Sequence, residues 1–192
     1  MTEPISVDDL KSIPEYEEQR VAVRRRIIAL KKIRRLILGD RVSLVFDNRE
    51  TLLFQIHEMM RAEGITDRDA LQAECDVYNG LLPNGSELTA ALFIELPPGS
   101  DVRGELKSFI GIDEHTALVL GDESIVAKSE EGYFAEERIS TIQYIRFSLD
   151  GPQLERFRET SVAAAVVIDH PNYQARLTLS EETRRSLIED LS

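Results

Sequence analysis

The sequence predicts an α+β fold, with N-terminal helices and a mixed, largely antiparallel sheet in the second half. Helical patterns alternate irregularly with short strand patterns, unlike the regular order of a parallel α/β sheet. The later part of the chain is richer in the apolar–polar alternation of half-buried strands. Hydrophobic residues make up 42% of the 192 residues and charged residues 30%, a globular rather than disordered composition.

The first elements are helical. Ser6 is a plausible N-cap for a helical turn, because a serine oxygen can accept a hydrogen bond from the first amides of a helix. A long helix is expected from Pro14, which suits the first helical position, to about Arg35. Its apolar stripe is narrow and basic residues cover the remaining faces. The stripe comprises Val23, Ile27, Leu30 and Ile33 or Arg34.

Two strands and two helices follow the long helix. Short strands are expected at 36–38 and 41–46, joined by a glycine turn. Asp47 followed three residues later by Glu50 resembles a capping box, which predicts a helix to about residue 63. The next helix is expected from about residue 67 to 78.

The second half begins with a buried strand at 88–96 that a Pro-Pro-Gly sequence stops. We expect one domain over residues 1–192, with a subdomain seam near 97–101. Residues 102–110 are weakly helical. Further strands are expected near 116–120, 125–128, 141–149, 161–169 and 173–179, and a last helix capped by Ser180 ends at Leu191.

Composition narrows the cellular setting. The only cysteine is Cys75, so no intramolecular disulfide can form and a reducing compartment is expected. The longest wholly apolar run, 162–168, is far shorter than the roughly 20 residues of a membrane helix. No secretory leader pattern is present at the N-terminus. The sequence therefore predicts a cytoplasmic protein that is not inserted in a membrane.

A basic cluster stands out from the acidic chain. Residues 20–41 carry nine lysines or arginines and a single acid, Asp40, although the whole chain has a net charge of −12. Like charges at helical neighbour positions repel, so these cations require neutralising groups. Three interpretations stay open: pairing with the chain's own acids, docking of an acidic protein partner or another subunit, and binding of RNA or another polyanion. The candidate partner-binding residues are Lys31, Lys32, Arg34 and Arg35.

Binding of RNA or another polyanion is the least favoured of the three interpretations. The basic helix lacks aromatic side chains on which bases could stack. The remaining chain is strongly acidic and would repel phosphates.

A second candidate site lies on the helix that follows Asp47. His57 and Glu58 begin like the zinc-binding HExxH motif, but Arg61 replaces the second histidine and cannot ligate a metal. One interpretation is a solvated helix face with an ion pair between Glu58 and Arg61. The other is an anion- or substrate-binding site formed by Arg49 and Arg61, with Glu58 orienting them.

His170 is the other candidate acid or base. It closes an apolar strand beside Asp169, before a turn at Pro171 and Asn172. Adjacent strand residues point to opposite faces, so Asp169 cannot orient the imidazole unless the chain bends there. His170 is therefore either a structural group bonded to backbone or, with Glu58, a catalytic candidate.

The sequence predicts no metal site and no cofactor. The three histidines and the single cysteine lack the spacing of known ligand sets. Neither a glycine-rich phosphate loop nor a nucleophile elbow is present.

Short motifs, in order along most of the chain, carry a resemblance to a known family. They occupy 31–35, 38–42, 46–51, 55–63, 76–79, 82–83, 144–147 and 169–173. Together they resemble an uncharacterised bacterial family, domain of unknown function 3501. The resemblance implies no catalytic residue, because no activity is established for the family. It does imply a redox-associated partner, since its members look like genome neighbours of rubrerythrin-like and iron–sulfur oxidoreductase proteins.

These observations favour a non-enzymatic cytoplasmic accessory protein. Its acidic or redox-related partner, of rubrerythrin or iron–sulfur oxidoreductase type, would bind the face that carries the basic cluster. The alternatives are a small enzyme acting on an anionic substrate and a polyanion-binding protein. The enzyme alternative requires Glu58 and His170 to share a cleft with the two arginines.

Overall fold

A computed structural model describes residues 2–129 and 140–191 of the chain. The helices are α1 (Ile13–Arg34), α2 (Arg49–Glu63), α3 (Arg68–Asn79), α4 (Val102–Lys107), α5 (Gly151–Arg158) and α6 (Glu181–Ile188), and a 3-10 turn at Val7–Asp9 precedes α1. The strands are β1 (Arg35–Leu38), β2 (Val42–Asp47), β3 (Glu87–Ile94), β4 (Thr116–Leu120), β5 (Glu123–Val126), β6 (Lys128–Ser129), β7 (Ile142–Ser148), β8 (Ala164–His170) and β9 (Tyr173–Thr178).

The strands form two antiparallel sheets. The larger sheet has the order β1-β2-β3-β7-β6 and the smaller one has the order β5-β4-β8-β9. Every strand pairing among the described residues is antiparallel. The predicted α+β class is therefore confirmed, although the larger sheet takes three of its strands from the first half of the chain.

A large apolar cluster lies between the sheets and extends to α4, α5 and α6. It contains Leu44, Leu92 and Phe147 from the larger sheet and Leu118 and Val166 from the smaller one, all fully buried. Members of this cluster come from both sides of the Pro-Pro-Gly sequence at 97–99. Packing across that sequence is therefore continuous.

A second apolar cluster is closed by the N-terminal segment. Ile5, 1% exposed, packs with Leu52 and Ile56 of α2 and with Cys75 of α3. The Asn79 side chain accepts a hydrogen bond from the Ile5 amide (2.7 Å) and donates one to the Ile5 carbonyl (2.8 Å). Residues 2–12, named the N-terminal strap here, are thus bound to the surface formed by α2 and α3.

The structure corrects two sequence-based assignments. Asn48, not Asp47, caps α2: its side chain accepts from the Thr51 amide, while the Asn48 amide donates to the Thr51 hydroxyl. Helix α5 was not predicted, although Asp150 and a proline in the first turn form a regular helix start before it. β8 begins at residue 164 rather than 161, because residues 159–162 form a turn after α5, closed by a hydrogen bond from the Val162 amide to the Glu159 carbonyl.

Tyr173 joins the two sheets. Its hydroxyl donates to the Leu38 carbonyl (2.5 Å) and accepts from the Arg41 amide (3.1 Å), so β9 braces the turn between β1 and β2. Gly39, in this turn, has a φ of +75°, and a Cβ there would clash with the Tyr173 hydroxyl. Glycine is therefore required at this position, both because of its positive φ and because a larger residue would displace the Tyr173 hydroxyl.

We expect Gly39→Ala to destabilise the protein more than Gly64→Ala. Gly64 also has a positive φ, of +67°, but nothing lies within 4 Å of a Cβ built there, so its substitution carries only the backbone cost of about 1 kcal/mol. Gly39→Ala should cost at least a further ~1 kcal/mol, because it also displaces the Tyr173 hydrogen bonds. Urea unfolding of both variants measures the difference, and equal losses would contradict the brace.

Candidate partner-binding site

Helix α1 carries an exposed face that contains both cations and apolar side chains. The helix begins after Ser12, whose hydroxyl and amide both hydrogen-bond the Glu15 carboxylate. Only Tyr16, Ile27 and Arg34 of its 22 residues are buried. The α1 outer face, defined here, consists of Val21, Arg24, Arg25, Ile28 and Lys32.

The five side chains of the α1 outer face lie together. At 3.6 residues per turn they fall within about 100° of arc, and the centre of that arc lies about 120° around the helix from the buried residues. Val21 is 81% exposed and Ile28 is 55% exposed. Arg24, Arg25 and Lys32 are exposed and have no ion-pair partner within residues 2–129 and 140–191. The face is therefore a cationic surface with exposed apolar side chains between its charges.

The four basic residues selected from the sequence do not form one exposed face. Arg34 is 1% exposed and binds Asp190 of the C-terminal segment through two hydrogen bonds, of 2.6 and 3.1 Å. Lys31 is half-buried, with its ammonium 3.9 Å from the Asp47 carboxylate. The prediction that Arg34 faces a partner is therefore wrong: its side chain lies on the helix side that packs against α6.

The other two basic residues point outward. Arg35 donates to the Ser43 hydroxyl (3.0 Å) and lies over the Phe93 ring at 5.5 Å. Lys32 is exposed and, unlike Arg35, has neither a hydrogen-bond nor a ring partner in the described part of the chain. Arg24 and Arg25, which belong to the same cluster, are the better-placed cations.

Arg49 and Arg61 do not converge on one site. They lie at opposite ends of α2, about 18 Å apart along its axis at 1.5 Å per residue. Arg49 pairs with Asp9 at 3.0 Å and donates to the Glu3 carbonyl at 2.9 Å, so it holds the N-terminal strap. Arg61 pairs with Glu17 of α1. Each guanidinium is thus engaged within the chain.

Glu58 also joins α1 to α2. Its carboxylate accepts hydrogen bonds from the Tyr16 hydroxyl (2.7 Å) and from the Arg20 guanidinium (2.7 and 2.8 Å). The Arg20 hydrogen bonds contribute most to lowering the pKa of Glu58 to about 2, against the effect of burial. Glu58 is therefore ionised at neutral pH and unsuited to donate a proton there. The expected ion pair with Arg61 is replaced by the pair with Arg20.

The α2 face with His57 and Glu58 is not a solvated surface. His57 is 5% exposed, and its ring stacks on Tyr16 with the centroids 4.6 Å apart. Its Nδ1 donates to the Leu53 carbonyl (2.9 Å), and its Nε2 accepts from the Lys11 amide (3.0 Å). Desolvation is the main reason that the pKa of His57 is lowered.

His170 lies at the end of β8, and both of its ring nitrogens have backbone partners. Nε2 donates to the Ile110 carbonyl (3.0 Å), and Nδ1 accepts from the Asn172 amide (3.2 Å). None of these partners belongs to the helices that contact Glu58. The two acid–base candidates are therefore held by different parts of the fold.

The structure contains a buried carboxylate that sequence reasoning missed. Asp47 is 3% exposed and accepts from the Thr51 hydroxyl (2.7 Å) and the Gln55 amide (3.2 Å). Burial raises the pKa of Asp47. Burial is also the main cause that raises the pKa of Tyr144 to about 12, and the negative charge of Asp47 adds to that shift. The only sequence signal was an acid at the end of a mostly apolar strand.

The described residues give no support for a metal site. Within 2–129 and 140–191, no group of three histidine, cysteine, aspartate or glutamate side chains could hold an ion. Cys75 is fully buried, and desolvation raises the pKa of its thiol, which disfavours the reactive thiolate.

Among the helices of the described residues, none has the length and apolar character needed to cross a membrane.

Fold and surface together define an α+β protein of two antiparallel sheets that exposes a basic helix. The chain belongs to the family described as Protein of unknown function (DUF3501), whose model matches residues 4–191. It is also similar to a solved structure, a novel protein of unknown function from Burkholderia pseudomallei K96243. The two share 30% sequence identity with a TM-score of 0.92, over 99% of this chain and 100% of that one. No curated protein matches this chain.

Proposed function

We propose that this chain is a non-enzymatic cytoplasmic accessory protein whose α1 outer face binds an acidic protein partner. The observation that carries the proposal is that some cations of α1 form ion pairs within the chain whereas those of the outer face do not. Arg20, Arg26 and Arg34 of α1 are paired with Glu58, Glu50 and Asp190, respectively. The cations of the outer face have no such partner in the described part of the chain, although the net charge is −12.

The chemistry of the face favours a protein surface as its ligand. Cations at an interface steer an acidic partner and select against basic ones. Val21 and Ile28 lie between the charges and offer apolar area that a bound protein would cover. A face with cations alone would suit a bare polyanion better. The redox-related partner implied by the family resemblance, of rubrerythrin or iron–sulfur oxidoreductase type, is the first to test.

An enzyme acting on an anionic substrate is the second candidate, and the geometry supports it less. It requires Arg49, Arg61 and an acid–base group to converge. Arg49 holds the strap and Arg61 pairs with Glu17, as described above. Glu58 is ionised and bonded on both oxygens.

Charge reversal on the α1 outer face should weaken partner binding at least tenfold. The test variant carries Arg24→Glu, Arg25→Glu and Lys32→Glu, which keep good helix formers in place. Each reversal removes an attraction and adds a repulsion of similar size, so at about 0.5 kcal/mol for each of the six changes the total is about 3 kcal/mol, above the roughly 1.4 kcal/mol that corresponds to tenfold. Partners captured from the native host are identified by mass spectrometry, purified and titrated by calorimetry against the wild-type chain and the variant.

A matched control distinguishes the effect of charge on the α1 outer face from the effect of the net charge of the protein. Arg103→Glu, Lys107→Glu and Arg176→Glu change the net charge equally, at exposed positions away from α1. This control variant should bind like the wild type, with unchanged circular dichroism in both variants. Equal loss in both variants, or undiminished binding by the α1 variant, contradicts the proposed face. Binding to single-stranded RNA with a log–log salt slope of about 0.7 per neutralised phosphate would favour the polyanion instead.

A further inference from the structure

The N-terminal strap is attached at its two ends by different kinds of contact. Near its start, Asn79 bonds the Ile5 backbone, and Arg49 binds both the Glu3 carbonyl and Asp9. At its end, immediately before α1, the Lys11 amide donates to His57 Nε2 at 3.0 Å. Of these contacts, only the last depends on an imidazole, the side chain whose ordinary pKa lies closest to neutral pH.

His57 can accept this hydrogen bond only when it is neutral. Nδ1 carries the proton that is donated to the Leu53 carbonyl, so Nε2 has a free lone pair for the Lys11 amide. A proton on Nε2 would place two donors face to face. The contact would then be lost, and the 5% exposed imidazolium would lie against the Tyr16 ring.

The charges around His57 do not compensate for its burial. The strap contributes Lys11, which opposes protonation, and α2 contributes Glu58, which favours it. The negative charge of Glu58 is already paired with Arg20 of α1, and Tyr16 of α1 contributes a neutral ring. Asp9 stays ionised over the same pH range, because hydrogen bonds from Ser6 and Arg49 lower its pKa.

We propose that the N-terminal strap is an acid-sensitive latch, which opens when His57 is protonated and uncovers the apolar cluster beneath Ile5. Opening gives the imidazole access to water, where it takes up a proton with an ordinary affinity. Because an open-state pKa of about 6.5 applies, acidification to pH 5.5 favours the open strap by up to about tenfold over pH 7.5. The latch requires no ligand and is independent of what binds the α1 outer face.

Cys75 provides a built-in probe of opening. While the strap is closed, Cys75 is fully buried and reached by neither solvent nor reagent, since it packs with Ile5 in the same apolar cluster. The full chain is labelled with dithiodipyridine from pH 7.5 to 5.5, and each rate is divided by that of glutathione at the same pH. We expect the normalised rate of the wild type to rise up to about tenfold at pH 5.5. The normalised rate of His57→Gln should not respond to pH, because a glutamine oxygen accepts from Lys11 throughout.

Two further measurements make the test decisive. Ile5→Ala should raise the labelling rate already at pH 7.5, and an unchanged rate would show that the strap does not cover Cys75. The urea dependence of labelling at pH 5.5 should be much weaker than that of global unfolding, because a local opening exposes little surface. A slope equal to that of global unfolding, or the same pH response in His57→Gln, overturns the latch.

Discussion

Arg184→Met should lower the free energy of unfolding by about 3 to 5 kcal/mol, although no acid pairs with this arginine in the described residues. The side chain is 4% exposed, and its guanidinium lies over the Phe157 ring at 5.2 Å. It donates to the backbone carbonyls at and beyond the end of α5, those of Arg156, Phe157, Glu159 and Val162. Methionine fills a similar volume but leaves these buried acceptors without donors.

The neighbouring arginine is a matched control for this prediction. Arg185 is exposed and forms only an i, i+4 pair with Glu181 on the same helix. Arg185→Met should cost less than about 0.5 kcal/mol. Urea unfolding at neutral pH compares the two variants. Similar losses would mean that the carbonyls at the end of α5 find other donors, and would contradict the cap.

Arg34→Met should be similarly damaging, with an expected loss of about 3 to 5 kcal/mol at pH 7. The substitution leaves Asp190, whose side chain is 9% exposed, without its guanidinium partner. It also removes the hydrogen bonds to the Ser186 hydroxyl (3.0 Å) and carbonyl (2.6 Å). An unpaired buried carboxylate is costly, so most of the loss should arise at Asp190 rather than from missing packing.

Two additional variants test this cause. Arg34→Met combined with Asp190→Leu should regain most of the lost stability, because replacing both members of a buried ion pair by apolar groups is often neutral. Arg35→Met, at an exposed position one residue further on, should cost no more than about 1 kcal/mol. If the double variant is no more stable than Arg34→Met alone, the ion pair is not the source of the loss.

Arg34 and Arg35 illustrate what the sequence could and could not predict. The long basic helix and its end near residue 34 follow from local patterns, and the structure confirms them. Which of two adjacent arginines is buried depends on Asp190, 156 residues away in the chain. No periodicity within the helix contains that information. The basic cluster was therefore recognisable, but its division into structural and exposed cations was not.

His57 and Glu58 show the same limit for candidate sites. On α2 considered alone, both residues lie opposite the apolar stripe, which predicts a face exposed to solvent. Helix α1 covers that face, with Tyr16 against the His57 ring and Arg20 on the Glu58 carboxylate. The strap adds Lys11. A polar helix face is exposed to solvent only when no other element with complementary polar side chains packs against it.

The pairing of Arg34 with Asp190 constrains how early the chain can complete its folding during synthesis. A ribosome releases the N-terminal residues first, and domains commonly begin folding as they emerge. Here α1 lacks the acid that neutralises its buried cation until Asp190, 156 residues further along the chain, has been translated. Tyr173 likewise reaches the Leu38 turn across 135 residues. Nascent chains that lack Asp190 or Tyr173 would leave the Arg34 guanidinium unpaired or the turn between β1 and β2 unbraced, so the packing around α1 and β1 is completed only after these residues have been translated.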